Sequence, residues 1–471
     1  MKSLVNIAPY IAARALPAAI NFALYASLTH VLTPAAFGRY SVAFATIVTV
    51  NLVAIHWVRL AILRYTSHPD AAETIRRLAV RALSVYTIVG VMVAATIAIV
   101  AQRQEAIPAW LAVAAVAAPA FAWFESSLEQ LRARERRLAY AVAAIGRAAL
   151  ACSLSLYFAS RWQTESAVLL GGLVGSAVVS AVLYRNWTRR SGAVETKITH
   201  AEIIRFSLPL AVTLSLDAIV NYSDRAFVAA WHGDAAAGTY ASGYDLINQS
   251  LGVVAATLNL GVYPAVVRTF DKQGPTQAAD ALNKFAATLL SVFLPITAFL
   301  FLEAPTVTSL ALGPEFRTGA AQILPWVALA ATLNYVRAFY FDVPFQLARR
   351  TATQLRISVA STGVNLGLNV ALIPRFALQG ALAATLGSYL LSLGLSWYYG
   401  RKHMVLSLPK LLLVRIAAGC GLLWCVGLLA ANSSLVVRFV AYTVLLLLGA
   451  GVLWRGAPSR VGLSNYPGVP E

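Results

Sequence analysis

The sequence predicts an all-α polytopic membrane protein of about fourteen transmembrane helices, and three observations predict it. The 471 residues are 59% hydrophobic and only 12% charged, with a mean hydropathy of +0.70, so apolar surface exceeds what a soluble core hides. Apolar runs of about 20 residues, enough to cross roughly 30 Å of hydrocarbon, recur along the chain. Lys and Arg gather in every second connection, the alternation that the positive-inside rule requires of a multi-pass chain.

Charges and Gly/Pro cut the spans in order. The first runs from Ile7 to Leu32; it is too long and, with Arg14 inside, too polar for a cleavable signal peptide, so it reads as a retained helix. Thr33-Pro34 ends it, and the second, Tyr40 to Leu63, stops at Arg64. The third, Ala82 to Ala101, lies between Arg81 and Arg103, and the fourth, Pro108 to Leu128, is closed by Arg132, Arg134, Arg136 and Arg137. The fifth, Tyr140 to Phe158, ends before Arg161, and the sixth, Ala167 to Tyr184, before Arg185. A polar basic stretch then leads to the seventh, Phe206 to Trp231, which Gly233 and Gly238 separate from the eighth, Tyr244 to Tyr263. Lys284 precedes the ninth, Phe285 to Phe301, and Arg317 the tenth, Ile323 to Phe341. Arg349 and Arg350 precede the eleventh, Leu355 to Ile373; Arg375 divides it from the twelfth, Gln379 to Tyr399. Arg401, Lys402 and Lys410 introduce the thirteenth, Leu411 to Leu429, and the fourteenth, Leu435 to Trp454, precedes Arg455 and Arg460. Outer connections then carry only Arg39, Arg103, Arg161, Arg317, Arg375 and Arg438, which supports an even count and cytoplasmic N- and C-termini.

Topology also accounts for the net charge of +18. The Arg132 to Arg137 segment (RARERR) reads as an anchor at a helix end rather than a nucleic-acid patch, and no nucleic-acid partner is expected. Cys152, Cys420 and Cys425 lie in apolar runs away from any His or Asp cluster, so neither a disulfide frame nor a metal site is implied. Phosphate loops, H-E-x-x-H, Cys-x-x-Cys and G-x-S-x-G are missing, which points away from an enzyme and excludes an ATP-driven pump within this chain.

An internal repeat sets the organisation. Thr33-Pro-Ala-Ala-Phe-Gly38-Arg-Tyr40-Ser follows the first helix, and Gly233-Asp-Ala-Ala-Ala-Gly238-Thr-Tyr240-Ala follows the seventh. The spacing fits two pseudo-symmetric six-helix lobes, residues 1–190 and 206–400, joined by a cytoplasmic linker, 191–205. Two C-terminal helices occupy 401–454, and 455–471 is a Gly/Pro-rich cytoplasmic tail.

Five arginines fall within or at the end of predicted helices: Arg14, Arg59, Arg147, Arg225 and Arg337. A charge near the bilayer centre costs roughly 2.5–3.5 kcal/mol on insertion scales, so such groups should face the protein interior or a watery cavity. Polar residues also share helix faces: Arg14, Asn21 and Tyr25; Asp217, Asn221 and Asp224; Ser358, Thr362, Asn365 and Asn369. These faces suit a cavity, while for the uncharged polar residues interhelical hydrogen bonding is the favoured reading. Arg14, Arg147 and Arg337 have no close acidic neighbour in sequence and suit an anionic ligand; Arg225 adjoins Asp224, leaving an ion pair and a substrate contact both open, and Arg59 can snorkel. Gly171-Gly172-Leu-Val-Gly175 has small-xxx-small spacing, which suits close helix packing.

Three stretches carry a family resemblance: Leu32-Thr-Pro-Ala-Ala-Phe-Gly-Arg-Tyr-Ser-Val-Ala; Leu131-Arg-Ala-Arg-Glu-Arg-Arg-Leu-Ala-Tyr-Ala; and Phe206-Ser-Leu-Pro-Leu with Tyr222-Ser-Asp-Arg-Ala-Phe and Gly238-Thr-Tyr-Ala-Ser-Gly-Tyr. The chain resembles the polysaccharide-transport branch of the multidrug/oligosaccharidyl-lipid/polysaccharide exporter superfamily, especially bacterial O-antigen and exopolysaccharide flippases. The resemblance spans nearly the whole chain in helix layout, though its motifs are degenerate. It implies a V-shaped central cavity, alternating access, residence in the bacterial inner membrane and translocation of undecaprenyl-diphosphate-linked oligosaccharide for O-antigen, capsule or exopolysaccharide synthesis. Arg14, Arg147, Arg225 and Arg337 would then line a cationic cavity, and Asp217 or Asp224 would couple to Na+ or H+, with no other cofactor. Its implied partners are the lipid-linked glycan, membrane lipids, a polysaccharide polymerase and glycosyltransferases. A multidrug exporter of the same fold should instead have an acidic cavity, and a membrane glycan polymerase or glycosyltransferase a large external loop; the longest external loop here holds only Glu303, Glu315 and Arg317.

Overall fold

The computed structural model describes residues 2–66, 69–103, 108, 110–188, 199–348, 350–408, 410–429, 433, 437–438 and 442, and among them there is helix and turn but no strand. The helices are α1 (Lys2–Val31), α2 (Pro34–Ala54), α3 (His56–Tyr65), α4 (Pro69–Arg103), α5 (Trp110–Ala133), α6 (Arg137–Trp162), α7 (Glu165–Leu183), α8 (Arg185–Thr188), α9 (His200–Gln273), α10 (Pro275–Ala311), α11 (Pro314–Val336), α12 (Val343–Leu347), α13 (Thr351–Gly400) and α14 (Lys410–Leu429), with a π turn, Arg337–Phe341, after α11. Eight of them are long and apolar enough to cross a membrane. At 1.5 Å per residue, α9 with 74 residues and α13 with 50 are each long enough for two crossings.

Both long helices are bent where the sequence calls for a break. Gly233 takes φ 82°, a conformation that favours glycine, and divides α9 into arms 200–232 and 234–273, the expected seventh and eighth spans. Ala377, with φ 49°, divides α13 into the expected eleventh and twelfth. Twelve expected spans thus coincide with helices or helix arms. The fourteenth, apart from residues 437, 438 and 442, lies outside the described residues, as do most of the linker and the whole tail.

The second span differs from expectation, for it breaks at Ile55 into α2 and α3. There the Trp57 indole donates to the Ala54 carbonyl (3.1 Å), a backbone group that the interrupted ladder releases, and the Tyr86 hydroxyl donates to the Asn51 side chain (2.7 Å). Elsewhere the turns use ordinary capping: Thr33 and Thr164 accept from the first turns of α2 and α7, and Thr199 with Glu202 forms a capping box.

α1 packs on α6, α6 on α7, and α5 on α4 and α7; further along the chain, α10 and α13 pack on α11 and α9, and α14 on α10. Across these two groups, α9 lies against α2, α1 and α3. The small-residue ridge of α7 meets α6, because a Cβ on Gly171 would overlap the Ser155 backbone and one on Gly175 would crowd Ala151. Connections alternate between two ends of the bundle. Arg39 reaches Glu165 (3.1 Å) and Asp234 (3.3 Å), which gathers the starts of α2 and α7 and the α9 bend at one end. Arg76 donates to the Trp187 carbonyl (2.6 Å) and Arg136 to Asn186 (3.4 Å), which gathers α4, the α5–α6 turn and α8 at the other.

Candidate functional site

A polar core runs between the first arm of α9, the end of α11 and both arms of α13. Asp217, Asn221 and Asp224 sit at helical spacing on α9, and Ser358, Thr362, Asn365 and Asn369 face them from α13. Asp224, 1% exposed, accepts hydrogen bonds from Tyr240 (2.9 Å), Asn369 (2.7 Å) and Thr385 (2.5 Å). All three donors are neutral, so this carboxylate is hydrogen-bonded but has no cationic partner among the described residues. Asn369 also donates to Asn365 (3.2 Å), and its own side-chain oxygen is buried without a partner.

Arg337 and Arg225 are differently placed, because each is neutralised. At the π turn, Arg337 lies 3.3 Å from Asp342 and 3.6 Å from the half-buried Asp217, and Asp342 accepts from Ser396 (2.6 Å). Arg225 makes a forked pair with Asp245 (2.5 and 3.3 Å) and donates to Ser41 of α2 (2.7 Å). Its partner is therefore not its sequence neighbour Asp224, since adjacent residues on a helix point about 100° apart. The aromatic faces of Tyr222 and Tyr244 flank the guanidinium at 5.4 and 5.5 Å. A buried ion pair of this geometry offsets the desolvation of both charges and leaves little net charge for a ligand.

Arg147 is the reverse case. Its guanidinium lies over Phe121 at 4.4 Å and Phe124 at 5.3 Å, and its Nε donates to Ser176 (3.2 Å), with no carboxylate at ion-pair distance among the described residues. Its electrostatic neighbours include Glu125, Tyr40 and Tyr25. Arg14 is exposed, beside Tyr140, and likewise has no ion pair or hydrogen bond among the described residues. Arg59 meets Glu125 (2.7 Å) and Glu129 (3.5 Å) rather than snorkelling alone. The predicted arginines therefore separate into Arg225, Arg337 and Arg59, which are paired, and Arg14 and Arg147, which are not.

Several members of the site were not singled out from sequence. Tyr240 and Thr385 complete the surroundings of Asp224, and Phe121 with Phe124 forms the aromatic seat of Arg147. Tyr240 carried a signal, standing in the internal repeat where Tyr40 stands in the first copy; single Thr and Phe residues in apolar helices carry none. Among the described residues no group of three or more His, Cys, Asp or Glu is gathered as a metal cluster.

A family profile described as "Polysaccharide biosynthesis protein" matches residues 27–320. A search of curated proteins finds no match. Among solved structures the chain is similar to a lipid II flippase MurJ in an inward closed conformation, at a TM-score of 0.69 and 12% identity over 96% of this chain and 99% of that one. It is also similar to an inward-facing multidrug resistance MATE family transporter of the MOP superfamily, at 0.61 and 15%, over 85% and 94% of the two chains. A third similar structure, a MOP superfamily transporter from Pyrococcus furiosus with a binding pocket of reversed polarity, gives 0.58 and 15% over 85% and 95%. At these identities the likeness establishes the fold alone, a multi-pass helical membrane architecture.

Proposed function

The chain belongs to the polysaccharide biosynthesis protein family, and on that premise we propose that it is a flippase for undecaprenyl-diphosphate-linked oligosaccharide, serving O-antigen, capsule or exopolysaccharide synthesis. It works without an enzymatic step, by alternating access between the lobes 1–190 and 206–400. It resides in the bacterial inner membrane with both termini cytoplasmic, receives its glycan from glycosyltransferases and passes it to a polymerase.

One observation carries this reading: the unpaired guanidinium of Arg147, seated on Phe121 and Ser176, with a second unpaired arginine, Arg14, in the same half. A cation without a buried counter-charge in a membrane protein is costly unless an anion meets it. A diphosphate supplies two or more such charges, and a guanidinium binds phosphate oxygens in bidentate fashion. The prenyl tail stays in lipid, so only the head group has to enter the bundle. Arg225 and Arg337 then hold the cavity wall through their carboxylates rather than binding the head group.

The same charge logic supports ion coupling at Asp224. Its carboxylate, the Thr385 hydroxyl beside it and the unpartnered side-chain oxygen of Asn369 would supply oxygen ligands for Na+, and a proton would serve the carboxylate alone. Asp217, already beside Arg337, is the weaker candidate. The test is flipping of a fluorescent polyprenyl-diphosphate oligosaccharide in proteoliposomes. Wild-type protein should move it, Arg14→Ala and Arg147→Ala should not, and an uncharged polyprenyl glycoside should be ignored. Equal transport of charged and uncharged lipids by all three proteins would refute the assignment.

A further inference from the structure

We infer that the repeat-related turns 33–41 and 233–241 form the gate closing the external end of the transport path, with Gly38 and Gly238 setting its closure. The residues align at a constant offset, Gly38-Arg39-Tyr40 with Gly238-Thr239-Tyr240. In space they meet face to face. A Cβ on Gly38 would overlap the Asp234 carbonyl oxygen and crowd the Gly238 nitrogen; a Cβ on Gly238 would overlap the Pro34 carbonyl oxygen and crowd the Gly38 nitrogen. The contact is reciprocal, as in an interface about a twofold axis where one patch meets its own counterpart. Each glycine is the recess that receives the other turn's backbone, and neither recess has room for a methyl group.

Neighbouring contacts close the same end. Phe37 meets Phe316 edge to face at 5.4 Å, and the Gly313 amide donates to Thr29 (2.9 Å) while a Cβ on Gly313 would overlap the Thr29 carbonyl oxygen. Arg39, held by Glu165 of α7, reaches Asp234 across the seam.

The energetics suit a closure that reopens. The ion pair crossing the seam is solvent-accessible, with side chains 35% and 40% exposed, a setting in which such pairs add little stability. The strong buried pair, Arg225 with Asp245, lies within α9 and survives separation of the turns; only its hydrogen bond to Ser41 crosses. Shape complementarity at two glycines therefore supplies selectivity for the closed state, and little buried charge has to be exposed when it parts.

This inference rests on the alternating-access reading and its orientation, so the first experiment reads the gate without substrate. In a variant carrying C152A, C420A and C425S, Tyr25→Cys reports access beneath the turns, because Tyr25 packs edge to face on Phe37 and tilted against Tyr40. Ser160→Cys, exposed near the end of α6, reports sidedness. A membrane-impermeant maleimide applied to intact cells should label Ser160→Cys quickly and Tyr25→Cys slowly. Adding Gly38→Ala or Gly238→Ala should speed Tyr25→Cys labelling by about tenfold as the population shifts away from closure. Gly394→Ala, whose Cβ would meet nothing within 4 Å, should leave the rate unchanged. Identical rates in the Gly38→Ala, Gly238→Ala and parent proteins would overturn the gate, provided size-exclusion chromatography shows all of them folded. Labelling of Ser160→Cys only in inverted vesicles would overturn the assigned side. A second variant, Arg39→Cys with Asp234→Cys, should cross-link on oxidation and stop glycan flipping until reduced; flipping that continues through the cross-link would also overturn the gate.

Discussion

Replacing Arg147 separates a binding role from a structural one. A unit positive charge about 5 Å from a phosphate charge contributes about 3 kcal/mol at an effective dielectric of about 20, so Arg147→Met should weaken head-group binding by roughly 100-fold. Arg147→Lys keeps the charge but loses the planar face stacked on Phe121 at 4.4 Å; cation–π contacts of this kind contribute about 0.5–2 kcal/mol, so the loss should be smaller. Stability should move the other way. Removing the Arg147 guanidinium orphans no carboxylate, whereas Arg337→Met leaves Asp342, 2% exposed, without its cation, a loss of about 3–5 kcal/mol for a broken buried pair. Flipping in proteoliposomes, read beside thermal melts of the same preparations, distinguishes the two. An Arg147→Met protein that melts far below wild type, or that flips lipid-linked glycan at the wild-type rate, would refute the assignment.

Three further outcomes follow from the same geometry. Arg225→Met or Asp245→Ala alone should lower the melting midpoint strongly, by about 3–5 kcal/mol of stability, and the double change Arg225→Met with Asp245→Leu should recover most of it; a double variant as unstable as the singles would show that the pair is not the cause. Asp224→Asn retains a polar group for Tyr240 and Thr385, so it should fold, yet flipping should lose its dependence on a Na+ or H+ gradient; persistence of gradient dependence in flux assays would place coupling elsewhere. Gly175→Leu would force a side chain into the Ala151 backbone and should cost about 1–3 kcal/mol by overpacking, visible as a lower midpoint, while Gly394→Leu should melt as wild type.

Helices were legible because lipid imposes a length and a polarity on each crossing, and loop arginines mark where one ends. The break at Ile55 was not, because Tyr86 meets Asn51 beside it from α4, thirty-five residues further along the chain, and no local pattern encodes that contact. At the site, sequence could nominate intramembrane arginines but not their counter-charges. Asp245 lies twenty residues from Arg225 on the far arm of α9, and only the bend at Gly233 folds it back. Glu125 and Glu129 reach Arg59 from α5, across helix packing that no spacing rule encodes. The distinction that matters for function, paired against unpaired cations, was therefore hidden even though every arginine was in view.

Coupling requires a ligand that binds the two conformations of the protein unequally, since equal affinity shifts nothing. The repeat tyrosines supply a physical route to that inequality. Tyr240, two residues beyond Gly238, donates to Asp224, the carboxylate without a cation. Its counterpart Tyr40, two residues beyond Gly38, packs on Tyr25 at 6.2 Å and stands among the electrostatic neighbours of the unpaired Arg147. Each turn that meets at the glycine seam thus carries an aromatic side chain into one of the two unbalanced charges, an anion in one half and a cation in the other. Each tyrosine shares a lobe with its charge, so the parting seam reaches Asp224 or Arg147 only by turning Tyr240 or Tyr40 within its own half; a cation at Asp224 or an anionic head group at Arg147 that is sensitive to that turn would gain a preference for one state of the seam. Arg225 and Arg337 already have carboxylate partners, which makes the unpaired Arg147 and Asp224 the places to look for substrate and ion.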